Sequence, residues 1–241
     1  DSIDVNYTFS KSIDLRSNTE RVGSSTGVLW NPWQPGLMKG VSDYDNTHLL
    51  SAFAVYNLPI GRNKRFGGGM NRFADAIVGG WQLSGIWRMS SGFPISVFET
   101  GLWPTNWNNN NWALWTGKPV STTRNKNMTS IAGSNGPGMF SDPEDAISAF
   151  DYEMPGGIGT RNGLRGDGVF NIDLNVAKNF TMPYNEKHRL QFRWETFNLT
   201  NTTRFDVNSA SLDISASGTF GQYSSTLSAP RVMQFGLRYE F

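Results

Sequence analysis

In six segments of this chain, apolar or aromatic side chains fall on every second position and the residues between them are mostly polar. Ile3, Val5, Tyr7 and Phe9 form the first row, opposite Asp4, Asn6, Thr8 and Ser10. Leu50, Ala52, Ala54, Tyr56 and Leu58 form the second, although its other face sets Phe53 and Val55 beside Ser51. Trp81, Leu83, Gly85, Trp87 and Met89 alternate with Gln82, Ser84, Ile86 and Arg88; that stretch runs on to Val97, with a bend expected near Pro94. Phe170, Ile172, Leu174 and Val176 face away from Asn171, Asp173 and Asn175, and Leu190, Phe192 and Trp194 from Gln191, Arg193 and Glu195. The last segment sets Met233, Phe235, Leu237, Tyr239 and Phe241 against Gln234, Gly236, Arg238 and Glu240. A period of two marks strands whose two faces meet different surroundings, so the chain is expected to be all-β and antiparallel.

The spacing of the segments adds direction. Their connections, 15–47, 59–75, 98–167, 181–187 and 201–230, alternate long, short, long, short, long. That is the rhythm of a transmembrane β-barrel, whose short turns face the periplasm and whose long loops face outside. A final strand with one greasy face, ending on an aromatic residue, resembles the closing strand of a bacterial outer-membrane barrel. On this reading loops 15–47, 98–167 and 201–230 are extracellular, and Phe235, Leu237, Tyr239 and Phe241 form an assembly signal. Because about eight strands are the fewest that close with a filled interior, six strands form part of a larger barrel. Before Asp1 there is no Met, basic stretch or apolar leader, which predicts a mature product or a C-terminal piece; the strand count favours the piece.

Composition removes several other classes. With 241 residues, 17% charged side chains and a net charge of +1, the chain is large enough for one domain and too neutral for a phosphate-binding surface, so no nucleic acid is expected. Uninterrupted apolar runs are only a few residues long, far short of the roughly 20 a spanning helix needs. There is no cysteine, hence no disulfide framework and no thiolate chemistry.

Five blocks, LLSAFAVYNLPIGRNKRF (49–66), IVGGWQLSGIWRMSSGFPISV (77–97), GTRNGLRGDGVFNIDLNVAKNF (159–180), HRLQFRWETFNLTNTTRFD (188–206) and APRVMQFGLRYEF (229–241), resemble the C-terminal barrel of Oar-like TonB-dependent receptors. These are large outer-membrane proteins with a carboxypeptidase-regulatory-like N-terminal domain and a plug. The resemblance implies a 22-stranded barrel, with the remaining barrel and plug, a TonB-type energy coupler, the barrel-assembly machinery and outer-membrane lipid as partners. This chain carries neither plug nor coupling box, so what it holds is wall and loops.

Candidate sites lie in the loops and on the polar rows. Trp103, Trp107, Trp112 and Trp115 stand among five asparagines, and aromatic faces with amide neighbours suit a glycan or another flat ligand. The same tryptophans, with Trp30 and Trp33 from the first loop, could instead pack a long loop into a small core of its own. Arg88, Asp173, Arg193, Glu195, Arg238 and Glu240 lie on the polar rows and are expected to face the lumen, in pairs across or along strands. Asp142, Glu144, Asp145, Asp151 and Glu153 cluster in sequence but match no calcium-loop spacing, and read as solvated loop charge. Arg165-Gly166-Asp167 reads as a turn into the fourth strand, and Gly67–Gly69 as a turn without the Lys of a phosphate loop. Neither His48 nor His188 has a ligand or nucleophile set around it. No enzyme, metal or cofactor is therefore expected.

The functional expectation is an outer-membrane receptor or transporter-type barrel for uptake or surface binding. Two alternatives remain: an outer-membrane or extracellular β-protein for adhesion or surface assembly, and a secreted carbohydrate-binding β-sandwich.

Overall fold

In a computed structural model, residues 1–17, 31–100, 111–122, 137–154, 156–181 and 188–241 are described. Six long strands form one antiparallel sheet: β1 (Ser2–Phe9), β2 (His48–Asn57), β3 (Trp81–Ser90), β4 (Val169–Thr181), β5 (Arg189–Phe197) and β6 (Val232–Glu240). They lie in chain order, each hydrogen-bonded to the next, so β1 and β6 are the two edges. Among the described residues no helix is long and apolar enough to cross a membrane.

The register carries the sequence periodicity across the whole sheet. Tyr7, Leu50, Met89 and Phe170 are direct partners, as are Val5, Ala52, Trp87 and Ile172. The next rows on the same face are Ile3–Ala54–Gly85–Leu174–Thr196–Met233 and Tyr56–Leu83–Val176–Trp194–Phe235. Because a one-residue slip would throw every side chain to the other face, this alignment of all six apolar rows fixes the pairing. Ring contacts between Trp87 and Phe170 and between Phe192 and Phe235 tie neighbouring strands on that side. One position breaks the row: Lys178 pairs with Trp81 and Phe192 and so lies on the apolar face.

All three long connections leave one end of the sheet and both shorter ones leave the other. The long-connection end has its own core, in which Ile95, Val97, Met139, Phe140, Leu164, Leu212, Ile214 and Phe220 are buried together. Phe140 and Phe220 stack with ring centroids 5.2 Å apart. This core accounts for the first difference from the sequence pattern, since the third stretch leaves the sheet at Ser90 and does not run on to Val97. Pro94–Ile95 pairs instead with Leu164–Arg165, which draws Ile95 and Val97 into the loop core.

The second difference is at the opposite end. The connection between β2 and β3 spans 58–80 and holds a helix that alternation could not reveal, α1 (Arg72–Val78), capped by the Asn71 side chain accepting from the Ala74 N–H. Gly80 ends it with φ +70; a Cβ there would stand 2.6 Å from the Asn179 carbonyl oxygen, so the close approach of this turn to β4 requires glycine.

Candidate functional site

The polar face of the sheet is a ladder of side-chain pairs. Gln82 donates to Asn57, Asn175 to Ser84 and Gln191 to Asn179, each at about 3 Å and each between direct cross-strand partners. Gln234 donates to the Glu195 carboxylate in the same way. Of the charges expected on this face, Arg193 lies 3.9 Å from Glu195, and Arg238 3.1 Å from Glu240. Asp173 accepts the Asn198 N–H at 2.9 Å, which anchors the start of the third long connection. Arg88 is exposed on the same face, opposite Ser51 and Asn171. The arrangement is in-plane pairing, which keeps a polar wall ordered and leaves little charge to converge on one point.

Set into this face is a shallow depression of about 160 Å³, lined by Phe53, Ile86 and Phe197 with Asp173 and Glu195 at its side. Phe53 and Ile86 are direct partners on β2 and β3. The poorly polar second face of β2 is thus one end of an apolar patch shared by three strands. The sequence held the signal at Phe53; what it lacked was the register that brings Ile86 and Phe197 alongside.

The loop aromatics divide. Trp103, Trp107 and Trp30 lie outside the described residues. Trp112 is 6% exposed and packs with Met38, Ile158 and Phe98 in a second small core. Trp115 is half-buried, lies tilted against Phe150 with ring centroids 6.3 Å apart and donates its indole N–H to the Lys118 carbonyl. Both hold loop segments together, which is the packing reading of this stretch, and the burial of Trp112 leaves no open ring face for a ligand. Trp33 is exposed.

The acidic group is dispersed into local roles. Asp142 caps the short helix α2 (Pro143–Ile147), Asp145 pairs with Lys118, and Glu153 accepts the Met154 and Gly159 N–H groups. Asp151 accepts the N–H of Tyr152. Among the described residues no group of three or more His, Cys, Asp or Glu is placed to hold a metal ion.

The most densely bonded cluster was not singled out from sequence. Arg161, whose side chain is 2% exposed, pairs with Asp14 at 2.5 Å and Asp43 at 3.1 Å. It also donates to Ser17 and to the Met38 carbonyl. Asn162 donates to Asp43 and the Val41 carbonyl and exchanges hydrogen bonds with Ser96. Three residues on, Arg165 pairs with Asp45 at 2.5 Å and donates to the Gly92 carbonyl. The Asp45 side chain is fully enclosed. Burial alone would raise the carboxyl pKa of Asp14, but hydrogen bonds from Ser17, Arg161 and Ser42 with the Arg161 charge outweigh it and hold it below the ordinary range. Asp45 is lowered likewise, its burial outweighed by Arg165, the Ser12 N–H and Thr47. The block GTRNGLRGDG is therefore a latch that fastens the first long connection to the second; Arg165 of its RGD tripeptide is held inside that latch, while Asp167 accepts the Phe205 N–H.

With these faces and loops placed, comparison adds one finding: the family model for an outer membrane beta barrel domain matches residues 2–234. The chain belongs to that family. This outer membrane beta barrel domain accordingly resides in the bacterial outer membrane, and its sheet is wall rather than half of a sandwich. No curated protein and no solved structure matches it. The family match reaches Gln234 and does not extend to Phe235, Leu237, Tyr239 and Phe241, the residues expected to form an assembly signal, all of which are exposed on β6 or just beyond it.

Proposed function

We propose that this chain is part of the wall of a TonB-dependent-receptor-type barrel of the Oar-like kind, which takes up or binds a ligand at the cell surface and catalyses no reaction. Its apolar face meets lipid, its polar face meets an internal plug, and the three long connections lie outside the cell. The observation that carries the reading is the sheet itself: six strands in register, apolar on one face and polar on the other, with β1 and β6 each left with a free edge. Unpaired edge amides in lipid cost several kcal/mol each, so further strands must complete the barrel. A barrel larger than about eight strands encloses a lumen that side chains alone do not fill. The ladder of Asn, Gln, Ser and Glu suits the wetted side of such a lumen. The patch of Phe53, Ile86 and Phe197 supplies an apolar contact for the plug within it. A coupler of the TonB type and the barrel-assembly machinery are the further partners of this reading.

A photo-crosslinking amino acid on each face of the intact protein in its native membrane tests it. At Asn171, on the polar face, the crosslink should map by mass spectrometry to a plug segment; at Phe192, on the apolar face, it should map to lipid. A lipid adduct at Asn171 would invert the faces. The absence of any protein adduct there, with lipid still found at Phe192, would mean a plugless barrel and favour the adhesion or surface-assembly reading.

A further inference from the structure

The connection between β2 and β3 presents apolar side chains to solvent at the end of the molecule where the other short turn lies. Phe73 and Ile77, one helical turn apart on α1, are 85% and 71% exposed, and Val78 and Phe66 are exposed beside them. The opposite side of α1 is used internally: Asp75 accepts the Arg62 N–H at 2.6 Å. A helix of two turns that spends its acid inward and its large apolar residues outward lacks a partner for them among the described residues.

Two contacts show which way this turn leans. Trp81 and Lys178 both belong to the apolar face of the sheet. The Trp81 indole donates to the Ile77 carbonyl at 3.0 Å, and the Lys178 ammonium donates to the Gly79 carbonyl. That ammonium lies 5.3 Å from the Trp81 ring centre and 5.0 Å from that of Phe180. The helix therefore continues the apolar face beyond the last strand residues. Around it the connection 58–80 carries Arg62, Lys64, Arg65 and Arg72 against the single acid Asp75, and all four basic residues are exposed. The Arg65 guanidinium lies 5.5 Å from the Phe66 ring centre, so a cation and an apolar ring are presented together.

From this combination we infer that α1 and its basic flank form an interfacial anchor. Phe73 and Ile77 enter the acyl boundary of the bilayer at the short-turn end, and Arg62, Lys64, Arg65 and Arg72 engage the phosphates of anionic phospholipid there. An apolar stripe rimmed by basic residues is what a segment lying in the headgroup plane needs, because burial of the stripe and attraction to anionic lipid add. The helix would set the depth of this side of the barrel. The Trp81–Lys178–Phe180 cluster sits where the chain passes from hydrocarbon to headgroup, with the Lys178 stem in the apolar layer and its ammonium bonded to the turn. The inference rests on the reading of the apolar face as the lipid face.

Depth measurement by spin labelling separates the two. Single cysteines at Phe73, Ile77, Leu237 and Ser217 of the intact protein would carry nitroxides, in bilayers of phosphatidylethanolamine with phosphatidylglycerol or of phosphatidylcholine alone. With phosphatidylglycerol, labels at 73 and 77 should show an oxygen-to-nickel accessibility ratio several-fold above that at 217 and closer to that at 237. Replacing the anionic lipid, or combining Arg62→Glu, Lys64→Glu and Arg65→Glu, should move the ratio at 77 toward the aqueous value and leave 237 unchanged. If 237 is in lipid while 73 and 77 match 217, the anchor is refuted and the lipid face stands. Labels at 73 and 77 shielded from both reagents would identify a protein partner and refute the anchor as well. If 237 itself is aqueous, the lipid-face reading fails and the anchor with it.

Discussion

Removing the Arg161 side chain should unlatch the first long connection while leaving the sheet intact. In Arg161→Met the stem is kept and the guanidinium is lost, so Asp14, Asp43, Ser17 and the Met38 carbonyl lose a shared donor. Breaking a buried ion pair from one side costs about 3–5 kcal/mol, because the remaining carboxylates stay enclosed without their cation. The lower end applies here. Arg16, whose pKa burial and the neighbouring Arg161 charge both lower, already interacts with Asp43 and gains from the loss of that neighbour. A cost of about 3 kcal/mol raises the local opening equilibrium about a hundredfold.

Amide exchange followed by mass spectrometry reads that change directly. Peptides covering 38–47 contain the Ser42 N–H bonded to Ser12 and the Asp45 N–H bonded to Ser42, and peptides from 169–178 report on β4 as an internal reference. Exchange should accelerate about a hundredfold in the first and stay constant in the second. Arg161→Lys keeps the charge without the planar fork and should fall between. In a double-mutant cycle with Asp14→Asn, the combined loss should be smaller than the sum. Unchanged protection at 38–47 in Arg161→Met would refute the latch, and equal acceleration in β4 would show that Arg161 supports the whole fold instead.

Three further outcomes are expected. Since Asp14 and Asp45 have lowered carboxyl pKa values in the folded state, their stabilisation is complete above the ordinary Asp value of about 3.9 and is lost as pH falls through the lowered values; amide-exchange protection of peptides covering 38–47, corrected for the intrinsic pH dependence of exchange, should therefore fall only below about pH 4, and a loss between pH 5 and 7 would contradict the latch chemistry. Arg placed at Leu174 should cost about 2–4 kcal/mol of folding stability in vesicles, whereas Arg at Asn175 on the opposite face should cost far less; equal losses would dissolve the two-face assignment. A membrane-impermeant thiol reagent on whole cells should label cysteine at Ser217 and spare cysteine at Lys64, and the reverse pattern would invert the topology.

What alternation made legible was the sheet. Period two survives any particular closure, since it depends only on each strand having a wet and a dry side, and so the rows from Ile3 to Phe241 could be assigned without knowing their neighbours. The same logic explains what stayed hidden. α1 is too short to impose a helical period, and its Phe73 and Ile77 are only two residues in an otherwise small and polar turn. Lys178 broke the row silently because the alternation read from sequence ended at Val176, two residues before it. The loop latch had no periodic signature at all. Its members come from 14–17, 38–45, 92–96 and 161–165, and only the folded loops bring Arg161 and Arg165 to Asp14, Asp43 and Asp45.

The described end of the tryptophan-asparagine stretch shows how a long loop uses its aromatics. Such a loop lies beyond the sheet and can borrow none of the sheet's apolar face, so it must assemble a core from its own residues and those of neighbouring loops. Large aromatics supply the most buried area per residue for that purpose, which is how Trp112 comes to lie against Met38 and Ile158. The latch then fixes one loop core to the other with charges instead of apolar area. A network of this kind is stable while its carboxylates stay ionised and its single buried guanidinium stays in place, and it specifies one arrangement because few other partners satisfy Arg161.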